Sequence, residues 1–529
     1  MNTPRLWQLF LLALLLWGGE TLRRDLWNPD EVRYAYIARE MAQDQHWLVP
    51  FRSGEYYAHK PPYLFWAINL VSHATRMPIG RIPVRLPGLL AGVFVLWTTA
   101  RLATRWAGAR AAWPAVLTLC ANYMFWHEIG FARMDGPLLG WTMAALTLLF
   151  LNDDQPTLWR PAVAWLCMGM GVLTKGPVGL LTPAGAYIAA RLAAGEGRLL
   201  KKSHWLWGPF LGLALPGLWL ALAWRHGAPP GYFSELLFSQ NIQRAAGILG
   251  HRQSFAYFFG VAPAHFLPWT LCLPAAILVL RRTPEQRQLL RRLLGWIGFI
   301  FVFFSLMTSK RTIYILGLFP ALAILVGGTW TELATATDRW ARLARGAFLW
   351  LLTLAGPAVL IASFLPLPIP GRVLWPTGLA ALAGAVCLWR TARQPTTRPR
   401  FYFTAAIALL AVQATIGALV YPAVNPLKTP GDLLPVVAAQ VPADGRLLIY
   451  GFNGEIMAYY TQRRGQVLYT PEDLRAAMQR EQRGVVVFEK KGYARWAPGH
   501  LAPTWRTGEF ASGGRDYVWL AFEPARAAQ

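Results

Sequence analysis

The sequence predicts a polytopic α-helical membrane protein that ends in a small α/β domain. Of its 529 residues, 55% are hydrophobic and 15% are charged, whereas soluble proteins have about 25% charged residues. Apolar runs recur along most of the chain, and a helix of about 20 apolar residues can cross a bilayer. The segment from residue 425 onward instead mixes short strand and helix patterns.

The apolar runs give about thirteen transmembrane helices. They lie at residues 6–22, 84–104, 110–127, 136–152, 161–176, 177–192, 204–223, 256–280, 293–309, 313–331, 346–365, 372–390 and 401–422. The first run lacks a convincing small-residue cleavage site, so we interpret it as a membrane helix and not as a signal peptide.

Charges in the connecting loops predict the orientation of these helices. With a cytoplasmic N-terminus, the inner loops include RLATRWAGAR at 101–110, RLAAGEGRLLKK at 191–202, RRTPEQRQLLRR at 281–292 and RTARQPTTRPR at 390–400. All are rich in Arg or Lys, as the positive-inside rule requires of cytoplasmic loops. The net charge of +25 therefore reflects topology and does not indicate a nucleic-acid partner.

Two domains follow from this organisation. Residues 1–424 form the membrane domain, with a long first periplasmic loop at residues 24–83. With a cytoplasmic N-terminus, an odd number of helices places residues 425–529 outside the cytoplasm. In this segment, strand patterns such as RLLIYG and GVVVFEKK alternate with the helical pattern PEDLRAAMQREQ. These residues are predicted to form a small periplasmic α/β domain.

Ionisable residues on the predicted outer side identify a candidate active site, because such groups are costly near lipid and are functional candidates by default. They are Asp30, Glu31, Arg33, Arg39, Arg52, Glu55, His59, Lys60, Asp135, Lys175, Arg244, Lys310 and Arg311. Lysine and arginine can neutralise a lipid-borne phosphate, and a neighbouring carboxylate can bind a sugar hydroxyl or act as a general base. The pattern therefore predicts an enzyme that cleaves a sugar from a polyprenyl phosphate.

Simpler interpretations of these residues stay open. Asp30 and Glu31 could only cap a helix, since acidic residues at a helix N-terminus complement its dipole. Lys175 could only extend its amine from a span end towards water. Asp135, placed at the end of the third span, could pair with Arg133 as a solvated loop end.

Several motifs together resemble the bacterial lipid A aminoarabinose transferases, and more broadly the GT-C superfamily of polyprenyl-phosphate-sugar glycosyltransferases. The motifs are NPDEVRYAYIAREM, YYAHKPPYLFWAI, MGVLTKGPVGLL and FFSLMTSKRTIYILGLFPALAIL. The resemblance covers roughly residues 5 to 330 in order. It implies a GT-C membrane fold with an outer C-terminal domain.

The resemblance also implies roles for individual residues. Asp30 matches the hallmark catalytic carboxylate of the first loop, and we group Glu31 with it. Arg33 matches the arginine three residues further on. Lys60 matches the lysine before proline that the family uses on the carrier phosphate, and Asp135 matches its second outer acidic residue.

Four further positions follow from the same comparison. Arg244 and Tyr314 match family positions near the phosphate, and Lys175 and Lys310 match basic positions of the substrate site. This chain departs from the family at His59, where aminoarabinose transferases usually have an acidic residue. We interpret His59 as a polar loop residue and not as a metal ligand.

The implied function is an inner-membrane glycosyltransferase with a periplasmic active site. It moves a sugar, most simply 4-amino-4-deoxy-L-arabinose, from undecaprenyl phosphate to lipid A phosphate with inversion. Two alternatives stay open: the enzyme transfers another sugar, or the acceptor is another glycan or a protein. Fixed cations can stabilise a phosphate leaving group, so no cofactor is required, although a divalent metal is compatible. The partners are the lipid donor, an outer-leaflet acceptor and the membrane, and we expect a monomer.

Two other classes of protein compete with this interpretation. A lipid flippase or transporter would show inverted repeats and charged residues near the middle of the bilayer. A scaffold that binds lipopolysaccharide through its outer domain would leave the charges of the first loop unexplained. The clustering of ionisable residues on one face favours the enzyme.

Overall fold

The computed structural model describes residues 3–27, 29–237, 253–498 and 505–523. The chain forms two compact units, each made of segments that are separate in sequence. The first consists of Met1–Arg23, Ala58–Leu64 and Arg85–Val420, and the second of Arg24–Tyr57, Phe65–Val84 and Tyr421–Gln529.

The first unit is helical. Its longer helices are Leu6–Ala13, Arg81–Ala107, Ala112–Cys120, Tyr123–Gly130, Asp135–Asp154, Trp159–Lys175, Val178–Ala193, His204–Arg225, Tyr257–His265, Pro284–Leu306, Phe319–Gly327, Arg339–Ala362, Trp375–Arg393 and Phe401–Thr415. The helix Arg81–Ala107 begins with four residues of the second unit.

Several helices of the first unit can cross a membrane. In the described residues, six are long and apolar enough: Arg81–Ala107, His204–Arg225, Pro284–Leu306, Arg339–Ala362, Gly371–Arg393 and Arg398–Ala423. The number rises to eight if two sharply bent helix pairs each count as one span. The protein is therefore an integral membrane protein, while the count of thirteen spans stays a prediction.

The structure corrects the predicted third span. Residues 112–130 form two helices, Ala112–Cys120 and Tyr123–Gly130, because the side chain of Asn122 caps the second by accepting from the backbone N–H of Phe125. The chain then bends by 113° into the helix Asp135–Asp154. Asp135 consequently begins a helix and does not follow the end of a span.

Exposed apolar side chains mark the surface that faces lipid. On the helix His204–Arg225, the exposed fractions are 78% for Leu206, 77% for Phe210 and 75% for Trp224. Large contiguous apolar surfaces of this kind are rare on soluble monomers. A hydrocarbon environment removes the cost of exposing them.

Small residues let neighbouring helices approach closely. A Cβ atom on Gly169 would lie 2.4 Å from the carbonyl oxygen of Gly212, and one on Gly179 would lie 2.0 Å from the carbonyl carbon of Gly171. Close backbone contact through glycine is typical of membrane helix packing, where dispersion replaces the hydrophobic effect. These contacts hold the helix that ends at Lys175 against the helices Val178–Ala193 and His204–Arg225.

The second unit contains a mixed five-stranded sheet. The strands of this unit are β1 (Phe51–Arg52), β2 (Glu55–Tyr56), β3 (Arg446–Tyr450), β4 (Arg464–Leu468), β5 (Gly484–Glu489), β6 (Arg506–Ser512) and β7 (Arg515–Phe522). The sheet order is β4-β3-β5-β7-β6, in which β3 is parallel to β4 and β5, and β7 is antiparallel to β5 and β6. This confirms the predicted α/β segment.

Helices cover the sheet and complete the second unit. They are Asp30–Asp44, Leu433–Gln440, Glu455–Tyr460, Pro471–Glu481 and Lys490–Trp496, together with the part of Tyr63–Thr75 from Phe65 onward. The apolar side chains of Leu448, Phe488 and Leu520 form the core beneath them. Most of the first loop, residues 24–57 and 65–83, is therefore grouped with the C-terminal segment of the chain.

Candidate active site

The first unit encloses a cavity of about 1030 Å³. Most of its lining is apolar and includes Leu138, Val172, Leu180, Leu213, Leu220, Leu236, Phe304 and Met307. Polar and ionisable lining residues are fewer: His59, Lys60, Asp135, Lys175, Ser309 and Tyr314. A mostly apolar pocket with a few polar groups is the usual form of a small-molecule site.

Asp135 and Lys175 form the central ion pair of this cavity. The Nζ of Lys175 donates to Oδ1 of Asp135 at 2.5 Å, and each side chain is 14% exposed. The same Nζ lies 4.7 Å from the ring centroid of Tyr314, within the range of a cation–π contact. Three predicted site residues are thus brought together, and Arg133 is not the partner of Asp135.

The position of Lys175 follows from its local sequence. Lys175 is the last residue of the helix Trp159–Lys175, where a cation complements the helix dipole. The next residue, Gly176, has φ +80°, a backbone conformation that glycine adopts without strain. The chain therefore turns at once into the helix Val178–Ala193 and leaves the amine at the cavity.

Lys60 and His59 reach the cavity from the first loop. Pro61 and Pro62 follow them, and the helix Tyr63–Thr75 then begins. The ring of Tyr63 packs edge-on against Trp141, with centroids 5.7 Å apart, which anchors this segment on the helix that starts at Asp135.

The other two basic candidates are placed differently. Lys310 is 3% exposed, and its Nζ donates to the carbonyl oxygen of Gln253 at 3.0 Å, while the neighbouring Ser309 lines the cavity. Lys310 thus holds a backbone segment in this structure. Arg244 lies outside the described residues.

Asp30 and Arg33 belong to the second unit. Arg33 Nη1 lies 3.8 Å from Asp30 Oδ1, and Arg33 Nε donates to Glu455 Oε1 at 3.2 Å. Arg52 Nη1 also donates to Glu455 Oε1, at 3.3 Å. Burial by itself would lower the pKa of Arg33, but the groups around it, chiefly Tyr57 and then Glu455, raise that pKa above its usual value.

Glu31 makes a buried ion pair beside Asp30. Arg24 donates from Nη1 to Oε2 at 2.6 Å and from Nη2 to Oε1 at 3.0 Å, and the exposed fractions of the two side chains are 0% and 1%. The backbone N–H of Trp27 donates to the same carboxylate at 3.1 Å. These contacts fix the chain entering the helix Asp30–Asp44.

Three carboxylates near these groups were not singled out from the sequence. Glu128, 4% exposed, accepts from Arg133 Nη1 at 2.8 Å on both oxygens. Glu235 lies 3.4 Å from His59 Nε2, and Glu455 joins Arg33 to Arg52. An acidic residue so close to the apolar run 110–127 could have drawn attention to Glu128, whereas no sequence signal identifies Glu455.

The cavity has the chemistry of a site for an anionic lipid. Its apolar lining fits a hydrocarbon chain, and Lys60 and Lys175 place amino groups among the described lining residues. Asp135 neutralises Lys175 and orients its remaining N–H donors. Cations fixed in an environment poor in water can stabilise charge that develops on a leaving phosphate.

Comparison with known proteins agrees with this chemistry. Residues 5–226 match the family profile described as dolichyl-phosphate-mannose-protein mannosyltransferase. ArnT from Cupriavidus metallidurans, whose crystal structure contains undecaprenyl phosphate, superposes with a TM-score of 0.76 over 97% of each chain at 22% sequence identity. That similarity shows the fold. Together these matches define the class as a membrane glycosyltransferase with the GT-C fold, as the motifs predicted.

Curated relatives narrow the class to one family. An undecaprenyl phosphate-alpha-4-amino-4-deoxy-L-arabinose arabinosyl transferase of Pectobacterium carotovorum is 31% identical over 71% of this chain and 67% of the relative. The protein with this name from Edwardsiella ictaluri is 28% identical over 80% and 78%. Three further relatives of this name align over 55% of their own length. The chain belongs to the family of undecaprenyl phosphate-alpha-4-amino-4-deoxy-L-arabinose arabinosyl transferases.

Proposed function

We propose that this protein transfers 4-amino-4-deoxy-L-arabinose, or a closely related sugar, from undecaprenyl phosphate to a phosphate of lipid A. The observation that carries the proposal is the cavity of about 1030 Å³, apolar along most of its wall and bearing Lys60 and Lys175 among its polar residues. The names of the relatives support the sugar and its carrier.

The carrier phosphate binds Lys60 in this proposal. Tyr314 and Lys175 orient the phosphate or the sugar, and Arg244 adds a second positive charge. Lys60 is our candidate for the main phosphate contact because it lines the cavity and matches the lysine that the family uses on the carrier phosphate. A divalent metal is not required, since lysines supply the charge that a metal would otherwise provide.

Asp30 acts on the acceptor as the general base or on the sugar as an orienting carboxylate. Arg33, held by Glu455, positions Asp30. We assign Glu31 to the structure of the loop, because its carboxylate is fully engaged by Arg24 and Trp27. Attack from the face opposite to the phosphate gives inversion at the anomeric carbon.

We further propose that the enzyme lies in the bacterial inner membrane as a monomer, with a cytoplasmic N-terminus and a periplasmic active site. The Arg-rich loops at 101–110, 191–202 and 281–292 support this orientation. Because the matching profile is that of a protein mannosyltransferase family, transfer to a protein is the second candidate function.

A transfer assay tests the proposal. Purified protein is incubated with labelled undecaprenyl phosphate-aminoarabinose and lipid A, with a peptide acceptor in parallel and with chelator in a third reaction. We expect label on lipid A, none on the peptide, and equal rates with and without chelator. Label on the peptide alone would support the second candidate, and a rate abolished by chelator would contradict the metal-independent mechanism.

A further inference from the structure

A histidine–carboxylate pair lies beside the cavity and has no role in the phosphate site proposed above. The Nε2 of His59 and Oε1 of Glu235 are 3.4 Å apart. His59 lines the cavity next to Lys60, and the residues after Glu235, Leu236 and Leu237, line the same cavity. The pair thus joins the first-loop segment to another part of the cavity wall.

Glu235 is not one of the cavity-lining residues, but its carboxylate lies against His59, which is one of them, and is partly exposed. Its side chain is 32% exposed and that of His59 is 40% exposed, compared with 14% for each member of the Asp135–Lys175 pair. A carboxylate offers about four lone-pair sites, and a single contact with an imidazole leaves acceptor capacity. Glu235 can therefore accept hydrogen bonds from a bound molecule while it stays next to His59.

Asp135 is a poorer candidate for the same task. Of the described residues that line the cavity, Asp135 is the one carboxylate, and Lys175 holds it at 2.5 Å. A cationic group on a ligand would have to displace this ammonium or share the carboxylate with it. Glu235 faces an imidazole at 3.4 Å, a looser contact than the 2.5 Å pair of Asp135 and Lys175, and an imidazole nitrogen offers one donor where an ammonium offers three.

We propose that Glu235, oriented by His59, binds the ammonium group of the donor sugar and so selects amino sugars over neutral ones. This inference rests on the proposed function. Lys60, which takes the phosphate, and His59, which orients Glu235, are consecutive residues. One donor would therefore meet a positive charge at its phosphate and a negative charge at its amine.

The test compares two undecaprenyl phosphate donors, one with a free amine and one whose amine is acetylated. For the unsubstituted enzyme and for Glu235→Gln, the ratio of kcat/KM for the two donors is measured. A charge-assisted hydrogen bond contributes about 1.5–3 kcal/mol, so Glu235→Gln should lower the preference for the free amine by about 10- to 100-fold. The rate with the acetylated donor should change less.

Two further variants sharpen this comparison. Glu235→Asp keeps the charge and should retain more of the preference than Glu235→Gln. Glu332→Gln removes a carboxylate from a separate surface groove and should leave the ratio as it is in the unsubstituted enzyme. If a variant is inactive, the thermal stabilisation that each donor confers on the detergent-solubilised protein provides the same comparison.

The outcomes separate this inference from the proposed function. An unchanged donor ratio in Glu235→Gln would overturn the role of Glu235 while leaving transfer from undecaprenyl phosphate intact. If the unsubstituted protein neither bound nor used either donor, the proposed function would fail and this inference with it.

Discussion

Asp30 is the single residue whose carboxylate we expect to matter most for turnover. It is 15% exposed and lies 3.8 Å from Arg33, at the first position of the helix Asp30–Asp44. Replacement by Asn keeps the size of the side chain but removes its charge and basicity. General acid–base catalysis contributes about 100- to 10,000-fold, so Asp30→Asn should slow transfer by at least about 100-fold.

The control for this prediction is the thermal unfolding temperature of the purified variant. Asp30→Asn should unfold in a single transition close to that of the unsubstituted protein, because Asn keeps the size and polarity of the side chain and the contact with Arg33, at 3.8 Å, is too long for a hydrogen bond. A variant that turns over normally would show that Asp30 is not catalytic.

At the residue scale, the sequence predicted which charges to examine but not their partners. Asp135, Lys175 and Tyr314 were each singled out, and Lys175 contacts both of the others in the lining of the cavity. The partners depend on backbone turns, such as the one at Gly176, that hydropathy does not describe. Glu235 and Glu455 were missed because each acts through a contact distant in sequence.

At the scale of elements, the helix Asp135–Asp154 has the cavity-lining ion pair of Asp135 and Lys175 at one end and a buried ionic cluster at the other. Asp153 accepts from the hydroxyl of Tyr187 at 2.7 Å and from Lys202 at 2.8 Å, and it pairs with Arg191. The cluster lies about 27 Å along the helix from Asp135, at 1.5 Å per residue. It joins the ends of several helices far from the cavity.

Asp153→Asn should therefore destabilise the protein without changing its chemistry. Removing one partner from a buried ion pair costs about 3–5 kcal/mol, and Asp153 and Arg191 are each 4% exposed. Asp154→Asn is the matched control, because its pair with Arg105 is 35% and 51% exposed. Thermal unfolding in detergent should separate the two variants, and equal unfolding temperatures would contradict a stabilising cluster.

Hydropathy located the helices better than it located their breaks. The predicted runs at 204–223 and 372–390 correspond to His204–Arg225 and Trp375–Arg393. The break after Cys120 lies inside the predicted run 110–127 and was missed, whereas the 113° bend before Asp135 falls between the predicted runs 110–127 and 136–152. Such breaks depend on a local cap, here Asn122, and on packing. The hydropathy of an apolar segment is the same whether its helix is straight or bent.

At the scale of the whole molecule, packing does not follow the order of the chain. The predicted domains, 1–424 and 425–529, divide the chain by sequence and stay a prediction. The second compact unit combines residues 24–57 and 65–84 with 421–529. Contacts such as Arg39 with the carbonyl oxygen of Ala458 at 3.0 Å create this grouping, and no local pattern predicts a contact between residues so far apart in the chain.

The orientation in the membrane is a prediction about the whole chain. A reporter active only in the cytoplasm, fused after residue 529, should be silent, and an alkaline phosphatase fused at the same point should be active. The reason is that Arg-rich loops stay on the cytoplasmic side and the predicted number of helices is odd. The opposite pair of results would show that the predicted count is wrong by one helix.

The central claim is that the cavity of the first unit holds undecaprenyl phosphate with its phosphate at Lys60. The most direct measurement is the dissociation constant of undecaprenyl phosphate for the unsubstituted protein and for Lys60→Ala, with Lys201→Ala as a control on an exposed lysine. Loss of a charge-assisted contact of about 1.5–3 kcal/mol should weaken binding by about 10- to 100-fold in Lys60→Ala and leave the control unchanged. Equal affinity in all three proteins would contradict the claim.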